Sequence, residues 1–357
     1  MMPSVSLAAD WPIAAPTALG FEADLAEKLD AGFRSGLLNG LHSVLIARKG
    51  QMVLERYYKG QDESWGAPLG VVEFTPETLH DLRSVTKSIV GLLYGIALDR
   101  GLVPPPSAPL LPLFPDYPDL AADPQRARLT VGQALAMTLG LAWDEMRPYT
   151  DPANSEIAME NAPDRYRFIL EQPIAAEPGT RWTYSGGAVA LIGAIIARGT
   201  GQSLPDFLKT ALLAPLGIEA FEWASGQDGI PSAASGLRLR PRDLLRIGQL
   251  VLNQGAWGNR QIISAAWLAA TATPETKTEE DGFEYSRLWW LGRLPTPALP
   301  GPRRWIGGLG NGGQRLWLMP DADLVAVIHC GNYNAPDQWV TPLRVWREIV
   351  LGNLRSV

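Results

Sequence analysis

Cysteine is nearly missing from this chain of 357 residues: Cys330 stands alone, which excludes an internal disulfide framework and any cysteine-based zinc site. Histidine is almost as scarce. His42, His80 and His329 make up the full set, with no two at helical ligand spacing, so no metal is expected. Positive charge is short as well: 31 Lys and Arg against 37 Asp and Glu give a formal net charge of −6. No basic field is available for phosphate backbones or anionic lipid, so nucleic acid is excluded as a partner. No apolar run reaches the roughly eighteen residues of a membrane span without charge or proline, so no membrane partner is expected. The opening residues, Met1 to Asp10, lack the positive start and apolar run of a secretory signal, and the cytoplasm is the favoured compartment for the chain as given. Repeats, low-complexity tracts and cofactor motifs are missing too, so no cofactor is expected. The sequence does not speak to oligomeric state.

Apolar residues are abundant, at 46%, enough for a large core or two. Phe21 to Gly36 has helical spacing and a closing glycine. Ser43 to Arg48 and Gln51 to Tyr58 are strand-like runs joined by Lys49-Gly50, a two-residue hairpin signal. Ser84 to Leu98 is an apolar helix stopped at Gly101 and the prolines after it. Up to about Pro231 the chain then reads as helices (Val131 to Leu139, Arg165 to Glu171, Gly187 to Arg198, Leu204 to Leu213) with no convincing strand. Pro241 to Asn253 and Ala265 to Ala270 are also helical. Strands resume at Ser286 to Leu291, Gln314 to Met319 and Leu324 to His329, with a turn at Pro320 to Asp323 and a closing helix from Val340 to Leu354. This predicts an α+β fold: an antiparallel sheet flanked by N- and C-terminal helices, built from residues 1–80 and 236–357. A helical domain, residues 81–235, is inserted, and a cleft lies between the two.

Three segments could carry chemistry. Ser84 and Lys87 open the apolar helix three residues apart, which puts them on one face with Cβ atoms about 5 to 6 Å apart. A serine hydroxyl needs a nearby base, a desolvated lysine can serve as one, and a helix N-terminus favours developing negative charge. The competing reading is a serine N-cap followed by a surface lysine, and such a tetrapeptide arises by chance in roughly one chain in three of this size. Tyr184, where an aromatic run meets a helix, can present its hydroxyl to a cleft and relay a proton, or can be buried with that hydroxyl satisfied. The glycines from Gly307 to Gly313 lead into a strand, where such residues mark close approach of a ligand or another backbone, or simply a bulge. Backbone N–H groups on that edge could hold an oxyanion.

Together the three segments resemble the penicillin-recognising serine hydrolases: β-lactamases, D-alanyl-D-alanine peptidases and, above all, the class C-like branch with esterases and nylon-oligomer (6-aminohexanoate-dimer) hydrolases. Ser84-Val-Thr-Lys87 matches the Ser-x-x-Lys of that family and Tyr184-Ser-Gly186 its Tyr-x-Asn. Gly308-Leu-Gly310 falls where it has Lys-Thr-Gly. The likeness extends through Leu41 to Gly50, Leu129 to Thr138 and Ser235 to Asp243, nearly the whole chain. It implies that Ser84 is the nucleophile, Lys87 its base, neutral when substrate is bound, and Tyr184 a proton relay. It also implies an oxyanion hole from the N–H groups of Ser84 and Asn311, with Gly310 beside the substrate. The segment Trp143 to Glu156 is similar to the cleft-rimming loop of the nylon-oligomer hydrolases and implies a substrate contact for Tyr149; an ordinary loop held by Asx turns is the alternative.

Two departures bear on substrate. Gly186 stands where the family has asparagine, removing an amide that would orient lysine or substrate. No lysine or histidine precedes the glycines of the third segment, which weakens recognition of a substrate carboxylate. The expected partner is therefore a small-molecule ester or amide with an uncharged acyl part. The alternatives are a β-lactamase or D-Ala-D-Ala peptidase acting on carboxylate-bearing substrates, and a non-catalytic binding protein that retains the cleft. His80 reads as a structural hydrogen-bonding residue, and His329 and Cys330 as core. The tryptophans 182, 289, 290, 305 and 317 read as packing or as walls of an apolar cleft.

Overall fold

The computed structural model describes residues 11–357, so the opening segment lies outside the described residues. Helix α1 (Leu25–Arg34) precedes β1 (Leu41–Arg48) and β2 (Gln51–Tyr57). Lys49 and Gly50 both take left-handed φ, 49° and 71°, making the predicted two-residue hairpin. A second hairpin, β3 (Lys59–Ser64) and β4 (Ala67–Glu73), follows, then the short β5 (His80–Asp81) and helix α2 (Val85–Asp99). The sequence reading does not include β3 and β4: β3 is polar, and β4, though it carries Leu69, Val71 and Val72, is interrupted by Pro68 and Gly70 and is largely exposed. The pair is a separate two-stranded ladder outside the main sheet, anchored to the rest of the fold through Asp62, Glu63 and Trp65.

Helical segments dominate next: α3 (Pro118–Ala121), α4 (Val131–Leu135), α5 (Ser155–Glu160), α6 (Arg165–Leu170), α7 (Gly186–Thr200) and α8 (Leu204–Leu208), the last continuing as a wider winding over Lys209–Leu213. The helix predicted over Val131 to Leu139 stops at Leu135, because Met137 turns left-handed at φ 58°. The stretch read as free of strands contains the short β6 (Glu222–Trp223). It pairs with β7 (Leu237–Leu239), and β7 also pairs with β5. Helix α9 (Pro241–Leu252), the small hairpin β8 (Ala256–Trp257) and β9 (Arg260–Gln261), and α10 (Ala265–Thr271) lead into β10 (Thr276–Lys277), β11 (Glu284–Ser286), β12 (Trp289–Thr296), β13 (Leu299–Gly310), β14 (Gln314–Met319) and β15 (Leu324–Cys330).

The main sheet has eight antiparallel strands in the order β10-β11-β12-β13-β14-β15-β1-β2. First and last parts of the chain meet where Leu45 lies opposite Val327. β1, β14 and β15 are buried along their whole length, with α9 packed on β1, β14 and β15, while α2, itself buried from Val85 to Ala97, packs against α7 and β13. The closing segment is helical as predicted but winds unevenly: α11 (Val340–Arg344), a wide stretch over Val345–Val350 and a tight one over Leu351–Asn353.

The strand predicted over Ser286 to Leu291 is in fact a reversal between two strands. Arg287 and Leu288 both take left-handed φ, 46° and 68°, although neither is a residue that favours it. Tertiary hydrogen bonds hold them: Leu288 N donates to Leu135 O at 3.0 Å, and Ser88 Oγ of α2 donates to Leu288 O at 2.9 Å.

Candidate active site

Strand β5 delivers the chain to α2 through Leu82 and Arg83, and Ser84 takes the N-cap position without making a side-chain cap bond. Arg83 carries a left-handed φ of 48°, a conformation costing on the order of 1–3 kcal/mol in a non-glycine residue and sustained only where neighbours enforce it. It is enforced here by ion pairs to Glu63 and to Asp81 (Nε to Oδ2, 3.1 Å) and by stacking over Tyr333 at 4.8 Å. The hydroxyl of Ser84 is thereby left free at the head of a buried helix.

Lys87 is 1% exposed. Its ammonium has three N–H groups and three acceptors: Ser84 Oγ at 3.1 Å, Ala234 O at 3.1 Å and Glu156 Oε2 at 3.4 Å. Glu145 lies 4.0 Å away, and the ring of Tyr184 stands 4.8 Å from the nitrogen. Burial opposes the charge on Lys87, but Glu156, with help from Tyr184 and Glu145, overcomes it and holds the group above the ordinary lysine range. The surroundings are not purely apolar: two carboxyl groups face the substrate-free lysine, and Glu156 is the one that chiefly keeps it charged.

The two carboxyls are driven apart in acidity. Burial raises both, but the charge of Lys87 and hydrogen bonds from Glu145 and Ser235 (Ser235 Oγ to Glu156 Oε1, 2.8 Å) bring Glu156 below its ordinary value. Glu145 is pushed up to about 8, by burial first and then by the charge of Glu156, against the pull of Lys87 and the Gly186 amide. The resting site is therefore an ammonium, a carboxylate and a carboxylic acid, neutral in sum. Tyr184 is held above the ordinary phenol range by burial, against the opposing pull of Lys87, and its hydroxyl interacts with Ser84.

A stability consequence follows from Glu145. Its folded-state value lies above the ordinary 4.5, so its bound proton stabilises the fold fully below about pH 4.5, and that contribution is lost as pH rises through about 8. Wild-type Tm should fall from about pH 6 to about pH 9, and Glu145→Gln, which cannot ionise, should flatten the slope. Equal slopes in the two proteins would remove Glu145 as the titrating group.

Opposite Ser84, the hairpin of β13 and β14 explains the glycines. A Cβ on Gly308 would stand 2.9 Å from Val85 Cγ1, and one on Gly310 2.6 Å from Leu82 O. Only glycine lets this edge approach the start of α2 so closely. Gly310 is buried, its carbonyl accepts from Arg315 at 2.8 Å, and it spaces the edge, while Asn311 reaches the cleft wall. Asn311 is pinned from both sides, Nδ2 donating to Asn334 Oδ1 at 3.0 Å and Oδ1 accepting from Asn334 N at 2.9 Å. Gly310→Ala should displace Asn311 from the cleft wall and, on the oxyanion role that the resemblance implies for its N–H, lower kcat roughly 10²-fold with KM little changed. Steady-state kinetics with Tm as a folding control measures this, and an unchanged kcat would detach the edge from catalysis.

The cleft holds about 500 Å³ and is lined by Ser84, Tyr149, Glu156, Ser235 and Asn311 among others. The Tyr149 hydroxyl donates to Glu145 Oε1 at 3.2 Å. Glu145, Glu156 and Ser235 were not singled out from sequence. Asn154 caps α5 by accepting from Glu156 N (2.9 Å) and Ile157 N (3.3 Å), so Glu156 sits in a first helical turn, where carboxylates normally face water. The space that a side chain at Gly186 would fill is taken by the carboxylate of Glu156, so the amide missing from the Tyr-x-Asn pattern has a carboxylate in its place. Trp182, Trp289, Trp290, Trp305 and Trp317 are buried packing, with Trp182 and Trp290 backing Tyr184 at ring distances of 6.0 and 5.7 Å. His80, His329 and Cys330 are fully buried, as expected.

Residues 25–338 match the family model described as Beta-lactamase. The chain belongs to the β-lactamase family. Its curated relatives include the 6-aminohexanoate-dimer hydrolase of Paenarthrobacter ureafaciens, 26% identical over 335 residues, a match covering 87% of this chain and 76% of that protein. Esterase EstB of Burkholderia gladioli is 28% identical over 225 residues, 59% of this chain and 55% of the esterase. Among solved structures, EstCE1, a hydrolase with promiscuous acyltransferase activity, superposes with a TM-score of 0.70 at 16% identity, covering 92% of this chain and 99% of that one, a likeness of fold. This member of the β-lactamase family is an enzyme of the serine hydrolase class. No helix among the described residues is long and apolar enough to cross a membrane.

Proposed function

We propose that the chain hydrolyses small esters or amides with an uncharged acyl part through an acyl-enzyme on Ser84. The observation that carries the reading is the junction of Ser84 Oγ with Lys87 Nζ at 3.1 Å on the wall of the cleft, with Tyr184 beside both. Lys87 rests as an ammonium, so it must first release a proton before it can take one. Glu156, 3.4 Å away, is the acceptor. In this sequence the Lys87 proton passes to Glu156, the Ser84 proton passes to Lys87, and Ser84 Oγ bonds to the substrate carbonyl carbon. The resulting oxyanion is held by the N–H groups of Ser84 and Asn311. Tyr184 passes its proton to the departing alcohol or amine and regains one from the Lys87 ammonium as the C–O or C–N bond breaks. The now neutral Lys87 takes a proton from the water that adds to the acyl carbon. The Ser84–acyl bond breaks as Lys87, through Tyr184, returns that proton to Ser84 Oγ, and Glu156 gives its proton back to Lys87 as the acid leaves. Tyr149 contacts the substrate from the cleft rim.

The relatives named as a 6-aminohexanoate-dimer hydrolase and an esterase support this substrate class. So do the charges of the cleft: Lys87 is neutralised by Glu156, and Arg83, also on the wall, is committed to Glu63 and Asp81, so neither is free for a substrate carboxylate. Intact-mass analysis after exposure to a fluorophosphonate, a nitrophenyl ester and a chromogenic cephalosporin tests the proposal. A Ser84 adduct and turnover of the ester well above that of the cephalosporin are expected. Preferred turnover of the cephalosporin would favour a β-lactamase, and no adduct with any probe would favour a non-catalytic binding protein.

A further inference from the structure

All three histidines of the chain meet in one buried cluster that the proposed mechanism does not use. His42 comes from β1, His80 from β5 and His329 from β15, and Asp62 of β3 joins them. One nitrogen of His42, one of His80 and a carboxylate oxygen of Asp62 all lie within 4.8 Å of one another. His42 and His80 are 0% exposed and Asp62 is 5% exposed.

Hydrogen-bond logic sets the tautomers. The backbone carbonyl of Asp81 can only accept, so His80 Nδ1, 3.0 Å from it, carries the proton and donates. The lone pair of His80 Nε2 then points into the cluster, 2.9 Å from His42 Nδ1 and 3.8 Å from Asp62 Oδ1. With both rings neutral, His42 donates from Nδ1 to that lone pair, leaving its own Nε2 bare. That nitrogen has no hydrogen-bond partner, faces the carbonyl of Gln61, and is hemmed by Gly60 and Gly331, at each of which a Cβ would come within 2.6 Å of it. Two acceptors then face each other in a buried site, an arrangement that costs the desolvation of both.

A cation in the cluster resolves this. Both imidazole lone pairs, His42 Nδ1 and His80 Nε2, would point at it, and His42 Nε2 would carry a proton to donate to Gln61 O. Asp62 supplies the negative charge: its Oδ1 accepts from Tyr333 Oη at 2.9 Å, and its Oδ2 is buried without a partner. Two imidazoles and a carboxylate make three protein ligands, and His80 and Asp62 already have outer partners, Asp81 O and Tyr333 Oη, that fix their orientation. Tetrahedral coordination with bonds of about 2.0–2.1 Å sets donors roughly 3.3 Å apart. The two separations that involve His80, 2.9 and 3.8 Å, straddle that value, while His42 and Asp62 lie farther apart, within 4.8 Å, and draw together on a bound ion.

We propose that His42, Asp62 and His80 form a structural site for a divalent transition metal, with zinc the best match to two imidazoles and a carboxylate. The site ties β1, the β3 hairpin and β5 together just before β5 runs into Arg83 and Ser84. It is fully buried, so its role is to brace the turn that presents the nucleophile, and loading accompanies folding.

Metal analysis by mass spectrometry on the full chain, purified without a metal-affinity step, tests the proposal. About one equivalent of zinc is expected, as is a visible d–d absorption after unfolding in chelator and refolding with Co²⁺. Asp62→Asn should abolish the cobalt band and lower Tm by several degrees. If that variant fails to fold, the native stoichiometry and the cobalt spectrum of the wild-type chain still decide. Less than about a tenth of an equivalent, with no cobalt band, would overturn the site. Nitrogen NMR showing both His42 ring nitrogens protonated would overturn it too, in favour of a charged His42 paired with Asp62.

Discussion

Ser84→Ala should abolish turnover, by roughly 10⁴-fold or more, while leaving the fold intact. The size of the effect follows from the role proposed for the hydroxyl: without it no acyl-enzyme forms, and only the oxyanion donors and the cleft remain. The indifference of the fold follows from geometry. Ser84 occupies the N-cap of α2, where a serine side chain usually contributes about 1 kcal/mol by accepting from a backbone N–H, but no such bond is made here. The hydroxyl instead accepts from Lys87, and losing it leaves the ammonium with Glu156 and Ala234 as partners. Thermal unfolding, circular dichroism and intact mass after a fluorophosphonate should show an unchanged Tm and no adduct. An adduct persisting in Ser84→Ala would move the nucleophile elsewhere, and a collapse of Tm would show the hydroxyl to be structural.

Much of this arrangement was legible in the residues. The hairpin at Lys49-Gly50, the helix after Ser84 and the strands around Pro320 to Asp323 are written in short-range signals: turn residues, periodicity and a glycine stop. All three recur in the structure. Where the reading failed, tertiary contact had overridden local preference. Arg287 and Leu288 reverse the chain without glycine or asparagine because Leu135 and Ser88 hold their backbone groups. The β3–β4 hairpin was missed for the opposite reason, since an exposed ribbon needs no apolar alternation.

The site divides in the same way. Ser84 and Lys87 lie on one helix and are close in sequence, so a spacing rule finds them. Glu145 reaches Lys87 from the loop before α5 and Glu156 from the first turn of α5, far along the chain from Lys87, and nothing local distinguishes them from solvated acids. The histidines are the extreme case. At positions 42, 80 and 329 they show no ligand spacing, and only the pairing of β1 with β15, with β5 beside them, brings their rings together. The charge that the substrate-free Lys87 carries was not legible for want of Glu156, since burial alone would have lowered it.

Glu156→Gln isolates what the carboxylate does for Lys87. The amide can still accept from Ser235, so packing is kept while the anion is lost. Glu145, no longer facing the charge of Glu156, becomes the sole carboxyl near the ammonium, at 4.0 Å, and should ionise in its place. The ion pair re-forms over a longer distance, and the stability loss should stay within about 1–3 kcal/mol. Activity has no such substitute. With no anionic acceptor at 3.4 Å to receive the Lys87 proton, kcat should fall roughly 10²–10³-fold with KM little changed. Glu145→Gln leaves Glu156 in place and should cost only a few-fold in kcat while flattening the pH dependence of Tm. Replacing both leaves a buried ammonium without a counter-charge, a loss of about 3–5 kcal/mol unless the lysine gives up its proton. Should it do so, the acid limb of the pH–rate profile moves to lower pH, because burial now sets the lysine alone. Rate profiles and Tm for the three variants separate these contributions. A Glu145→Gln enzyme as impaired as Glu156→Gln would show that the proton acceptor had been assigned to the wrong carboxyl.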